Sequence, residues 1–222
     1  MGEMTELAAS DGVKIHAYRA APAGQPRGGI VVLQEIFGVN HHIKAVADLY
    51  AAAGYLAIAP ATFDRVQPGV ELGYDAAGIA AGMGFVGKID SAKTLLDIAA
   101  AIAAASSTGK VGIVGYCWGG TMAFASACHL AHVAASVGYY GGGIAGMKDD
   151  TPKAPLMLHF GEQDAHIPMS DIAKIKAAQP GVPVYTYASG HGFNCDERGS
   201  FDKASADLAR ERTLAFFGQH VG

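Results

Sequence analysis

The chain has 222 residues, 50% of them hydrophobic and 16% charged, enough for one domain, 1–222, that buries roughly 70% of its unfolded surface. Sixteen Lys and Arg stand against 20 Asp and Glu, for a net charge of -4 with no basic run, which argues against a nucleic-acid partner. Three cysteines without repeated spacing argue against a disulfide framework and fit a reducing, cytoplasmic setting. No stretch reaches the roughly 20 apolar residues of a membrane span, and the acid-bearing N-terminus does not read as a signal peptide.

In chain order, Val13 to Tyr18 alternates weakly and reads as an edge strand. Gly29 to Leu33 is a short apolar run, read as a buried central strand ending in Gln34-Glu35-Ile36-Phe37-Gly38. Asn40 is placed to cap a helix through Ala53, which Gly54 stops. Tyr55 to Ala59 is the next buried strand, closed by Pro60. Residues Ala61 to Gly87 carry glycines and little periodicity, and read as a loop with a short helix near the site. Ile89 to Ala105 is a helix. After a glycine-rich turn at Gly115–Gly120, a helix runs from Thr121 to Leu130. Then follow a strand over Val133 to Tyr140, a strand over Pro155 to Phe160, a helix over Pro168 to Gln179, a last strand over Val184 to Ala188 and a closing helix over Ser200 to His220. This alternation means an α/β fold with a mostly parallel sheet covered on both faces. In such sheets sites lie at the carboxyl ends of strands.

The most informative stretch is Val111-Gly112-Ile113-Val114-Gly115-Tyr116-Cys117-Trp118-Gly119-Gly120. An apolar strand leads into Gly-x-Cys-x-Gly and then a helix. That is the nucleophile elbow of the α/β-hydrolases with cysteine in place of serine. Cys117 would sit at a helix N-terminus, whose dipole favours thiolate, the attacking form. The Trp118 N–H would be free to face a developing oxyanion. The bland alternative is an inert buried thiol in a turn, a common fate for cysteine.

Further along stand Gly161-Glu162-Gln163-Asp164 and Ser189-Gly190-His191-Gly192-Phe193, each after a strand. Cys117, Asp164, His191 is the chain order of the α/β-hydrolase triad. His191 would be general base and then general acid, with Asp164 holding its tautomer. Glu162 competes for the acid role, and His166 and His159 are weaker candidates for the base.

Taken together, these segments resemble the dienelactone hydrolase (carboxymethylenebutenolidase) family over nearly the whole chain. The supporting residues are Gln34-Glu35-Ile36-Phe37-Gly38, Ala59-Pro60, Gly115 to Gly120, Gly161 to Asp164 and Gly190 to Phe193. The resemblance implies an α/β-hydrolase fold and a Cys117-His191-Asp164 triad. It also implies a regulatory Glu35 touching the resting thiol, and an oxyanion hole made by the N–H groups of Ile36 and Trp118. The family binds an anionic lactone through two arginines. Arg65 matches the first by its place in the loop. At the position of the second stands Cys195, with Arg198 three residues later, a departure that bears on the substrate.

The expected activity is hydrolysis of a lactone or small ester through a cysteine acyl-enzyme, by a monomer or small homo-oligomer. Two alternatives are a thioesterase or general small-ester hydrolase on the same scaffold, and a non-catalytic thiol-based redox or binding protein using Cys117 or Cys195. No cofactor is expected. His41-His42 and His129/His132 invite a metal reading, but no Cys or acid cluster completes a zinc set along the sequence, so no metal is expected either.

Overall fold

The computed structural model describes residues 2–222. Eight strands form one sheet: β1 (Glu3–Ala8), β2 (Lys14–Ala20), β3 (Gly29–Leu33), β4 (Leu56–Pro60), β5 (Val111–Tyr116), β6 (Ala135–Tyr139), β7 (Leu156–Gly161) and β8 (Val184–Tyr187). Their spatial order is β1-β2-β4-β3-β5-β6-β7-β8. β1 and β2 are antiparallel to their neighbours, and every pairing from β4 onward is parallel. This is the mostly parallel α/β-hydrolase sheet expected from the sequence.

Six helices cover it: α1 (His41–Ala52), α2 (Ala76–Val86), α3 (Ser91–Ala105), α4 (Trp118–His129), α5 (Met169–Ala178) and α6 (Lys203–His220). Successive β3 side chains point to opposite faces. Ile30 and Val32 pack with Ile43 and Val46 of α1 and Phe217 of α6. Val31 and Leu33 pack with Ile98 and Ile102 of α3 and Met122 of α4. Both faces are therefore buried, which is why β3 reads as an unbroken apolar run. Among the described residues no helix is long and apolar enough to cross a membrane.

Three elements depart from the sequence reading. The stretch Val13 to Tyr18, expected at an edge, forms β2 and lies inside the sheet, paired with both β1 and β4. β1 has no counterpart in that reading. It is an edge strand with most side chains in solvent, so its pattern carries no apolar face to detect. The 61–87 stretch forms a 3-10 turn at Thr62–Arg65 and then α2, a full 11 residues. Only Gly78 and Gly82 of α2 are buried. A helix that buries glycines leaves no apolar stripe in the sequence.

Register delivers the site. β3 and β5 align Leu33 with Gly115, so the chain beyond each strand, at Glu35 and at Cys117, emerges side by side. β5 and β6 align Tyr116 with Tyr139, which sets Tyr140 beside Cys117, and the Cys117 N–H donates to the Tyr139 carbonyl at 3.0 Å. β7 and β8 align Gly161 with Tyr187, so the turns carrying Asp164 and His191 abut.

Candidate active site

Cys117 occupies the turn between β5 and α4 with φ 54°, a left-handed backbone that costs a non-glycine residue free energy. The surroundings enforce it. A Cβ on Gly115 would stand 1.9 Å from the Gly119 carbonyl oxygen, and one on Gly119 would stand 2.5 Å from the Gln34 and Leu33 oxygens. Only glycine lets the turn close so tightly against β3. Cys117 stands in the N-cap place of α4, and Trp118 is its first residue, so the Trp118 N–H has no acceptor within the helix.

The thiol, an imidazole and a carboxylate line up. Cys117 Sγ is 3.2 Å from His191 Nε2, and His191 Nδ1 is 2.7 Å from Asp164 Oδ2. Asp164 Oδ1 accepts from the N–H groups of His166 at 2.8 Å and Ile167 at 3.2 Å. Burial raises the Asp164 carboxyl, but the His191 hydrogen bond and these backbone donors outweigh it and hold it below the usual range. At His191 burial works against the charge, yet hydrogen bonds to Asp164 and Cys117 prevail and lift the ring to about 9. Glu162 lies apart on the surface, accepting from Thr186 Oγ1 at 2.7 Å. His159 is sealed in the core between Tyr187 and Thr213, and burial lowers it to about 3.

Glu35 is fully buried at the end of β3. Its Oε1 accepts from Arg198 Nη1 at 3.1 Å and its Oε2 from the Tyr74 hydroxyl at 3.0 Å. The expected contact between this carboxylate and the thiol is therefore replaced. Glu35 is held by Arg198 and Tyr74, while the thiol turns to His191. Ile36 follows in the turn beyond β3, beside the elbow.

The two arginines part company. Arg65 directs Nε and Nη2 to Asp97 of α3, both at 2.8 Å, and Nη1 and Nη2 to Asp11, at 2.9 and 3.2 Å. Four of its five N–H donors are consumed by these carboxylates, so the loop position that suggested substrate binding leads instead to a structural ion pair. Arg198 comes to the site. Its guanidinium lies 5.8 Å from the centres of both the Phe37 and Tyr74 rings. It fills the space beside Gly192, where a Cβ would stand 2.8 Å from it.

Tyr140 and Tyr74 left no signal in the sequence. Tyr140 follows β6 with φ 36°, and its ring centre lies 5.1 Å from that of His191. Its hydroxyl is buried with no hydrogen-bond partner among the described residues. Tyr74 reaches in from the stretch read as an irregular loop. His41 and His42 pair with Glu197 at 2.6 Å and Asp196 at 3.1 Å, tying the start of α1 to the 191–202 loop. A second buried Cys-His-acid cluster lies here too. Atoms of Glu35, His42 and Cys195 fall within 4.8 Å of one another. The expectation that no acid or cysteine completes a set around His42 is thereby corrected, because three distant segments converge on it. A separate apolar cavity of about 870 Å³, lined by Ile102, Val111, Leu130 and Val133 among others, lies at the opposite end of β5 from Cys117.

The dienelactone hydrolase family model matches residues 15–221. The chain belongs to the dienelactone hydrolase family. A Synechocystis protein provisionally named a carboxymethylenebutenolidase is 35% identical, with 92% of both chains covered. The carboxymethylenebutenolidase of Pseudomonas putida is 33% identical over 93% of this chain and 92% of that one. A solved structure from Klebsiella pneumoniae, provisionally named a dienelactone hydrolase, superimposes with a TM-score of 0.85 at 29% identity and covers 99% of this chain and 100% of its own. The protein is a carboxylic ester hydrolase of the α/β-hydrolase superfamily that uses a cysteine nucleophile and a Cys-His-acid triad.

Proposed function

We propose that the enzyme opens a lactone or small ester, with Cys117 as nucleophile, His191 as base and acid, and Asp164 as the group that orients His191. The hydrogen-bonded line Cys117–His191–Asp164, set on a strained elbow, is the observation that carries this reading. Sγ attacks the carbonyl carbon and its proton rests on His191 Nε2. The carbonyl oxygen becomes an oxyanion, met by the N–H groups of Ile36 and Trp118. As the C–O bond breaks, Nε2 returns the proton to the departing alkoxide, which in a lactone stays tethered to the acyl group. Water then loses a proton to Nε2 and cleaves the thioester, releasing the acid and restoring the thiol.

The substrate is an ester or lactone bearing a carboxylate, as the names of the carboxymethylenebutenolidases suggest for those proteins. Arg198, with a single contact to Glu35 among the described residues, supports this reading and has donors left for a second carboxylate. Glu35 keeps that guanidinium in place. Three free cysteines support a reducing compartment such as the cytoplasm. Turnover of dienelactone, a neutral aryl ester and a thioester, each before and after iodoacetamide, tests the reading. The expected result is thiol-dependent turnover with preference for the anionic lactone. Turnover that survives alkylation contradicts it.

A further inference from the structure

Beside the triad lies a group of side chains that acyl transfer does not use. His42 is 4% exposed. Its Nδ1 meets the Asp196 carboxylate at 3.1 Å, while its Nε2 is buried with no hydrogen-bond partner among the described residues. A buried imidazole nitrogen without a partner is costly. Cys195 and Glu35 are fully buried, and one potential ligand atom from each lies within 4.8 Å of the other and of a His42 ring nitrogen. With Nδ1 held by Asp196, Nε2 is the nitrogen left to serve.

We propose that His42, Cys195 and Glu35 form a binding site for one divalent cation of the zinc class. The donor set is an imidazole nitrogen, a thiolate and a carboxylate, the mixture that borderline-soft Zn²⁺ accepts. A carboxylate on the far ring nitrogen is the usual second support of a metal-bound histidine. Bond lengths of about 2.3 Å to sulfur and 2.0 Å to nitrogen give a tetrahedral edge of roughly 3.5 Å, so ligand atoms within 4.8 Å of one another need only a small adjustment to bind. A surface cleft of about 160 Å³, lined by His42, Asn194, Asp196 and Phe201 among others, borders the site and provides the approach. On binding, Cys195 releases its thiol proton to solvent as the metal–sulfur bond forms.

The site shares one ligand with the ester-hydrolysing centre. Glu35 now bonds to Arg198 and Tyr74. A cation competes with both for the carboxylate. Occupancy thus alters the arginine beside Cys117, and the centre becomes metal-sensitive.

Cobalt(II) is a suitable probe, because thiolate ligation gives a charge-transfer band in the near ultraviolet. The Cys117→Ala protein removes the competing thiol and keeps the test independent of the role given to Cys117. Titration should give the band with saturation at one equivalent, and Zn²⁺ should displace it. Cys117→Ala/Cys195→Ser should abolish the band. Cys117→Ala/Asp196→Asn should weaken binding by about 10- to 100-fold, the usual effect of losing such a support. Asp196 is at the surface, its side chain 72% exposed, so this variant decides the matter even if Cys195→Ser does not fold. No band in Cys117→Ala, a band that survives Cys195→Ser, or unchanged affinity in Asp196→Asn would each overturn the site.

Discussion

Arg198 and Glu35 form an ion pair of 3.1 Å in which the carboxylate is fully buried and the arginine is 18% exposed. Two segments 163 residues apart thus meet beside the elbow, and the pair ties the loop after His191 to the chain just beyond β3. Breaking a buried pair from one side leaves an uncompensated charge and costs about 3–5 kcal/mol. The Tyr74 hydrogen bond to Glu35 places Arg198→Met toward the lower end of that range.

Substrate discrimination should follow Arg198. A charge-assisted contact to a substrate carboxylate contributes roughly 1.5–3 kcal/mol, or about 10- to 150-fold in kcat/KM. Arg198→Met should therefore lower kcat/KM for an anionic lactone by that factor and leave a neutral aryl ester of similar size nearly unchanged. Equal losses on both substrates would mean that the guanidinium only holds Glu35.

Arg65 should behave in the opposite way. Its partner Asp97 is fully buried, and burial pushes that carboxyl up against the pull of Arg65. Arg65→Met should destabilise the fold by about 3 kcal/mol, a fall of roughly 6–12 °C in Tm for a chain of this size. Once folded, the variant should discriminate between anionic and neutral esters as the parent does. A selective loss on the anionic lactone, with Tm unchanged, would restore Arg65 to the substrate.

The pH dependence has a definite sign. His191 is lifted from 6.5 to about 9 in the fold. Its contribution to stability is full below about 6.5 and is lost as pH rises through 9. Asp164 moves the other way, below 3.8, so its contribution is present above 3.8 and lost as pH falls through its folded value. Activity should decline on the alkaline side as His191 loses its proton near 9. Asp164→Asn removes one support of the imidazolium and should shift that limb downward. An alkaline limb at the same place in both proteins would contradict the coupling.

The choice of acid can be tested separately. Asp164→Asn should cost on the order of 10⁴ in kcat through the wrong histidine tautomer. Glu162→Gln should be nearly silent, because among the described residues the Glu162 side chain bonds only to Thr186, at the surface. The reverse pattern would exchange the two.

What could be read from the sequence is what local physics encodes. The apolar run of β3, the Asn40 cap, whose side chain accepts from Ile43 N–H at 3.2 Å, and the elbow around Cys117 each depend on neighbours a few residues away. Chain order offers Asp164 and His191 as candidates, because each follows a strand of the same parallel sheet. Arg65 was misplaced because a position in a loop does not say which way a long side chain turns, and Asp97 on α3 was nearer in space than any count of residues suggests. Tyr74, Tyr140, His42 and Cys195 reach the site through register and loop packing. The stretch 61–87 reads as a loop with only a short helix, because α2 conceals its full 11 residues by burying glycines.

The most direct measurement is to trap the acyl-enzyme. Rapid acid quench of the enzyme with a slowly turned-over aryl ester, followed by peptide mass mapping, should place one acyl group on Cys117. Cys117→Ala should show no adduct and lose on the order of 10⁴ to 10⁶ in rate, as expected for a member of a triad, while Cys128→Ala, a change inside α4, should still acylate at Cys117. An acyl group on any other residue, or a Cys117→Ala protein that keeps more than about a tenth of the activity, a loss that ordinary packing defects can produce, would contradict the account.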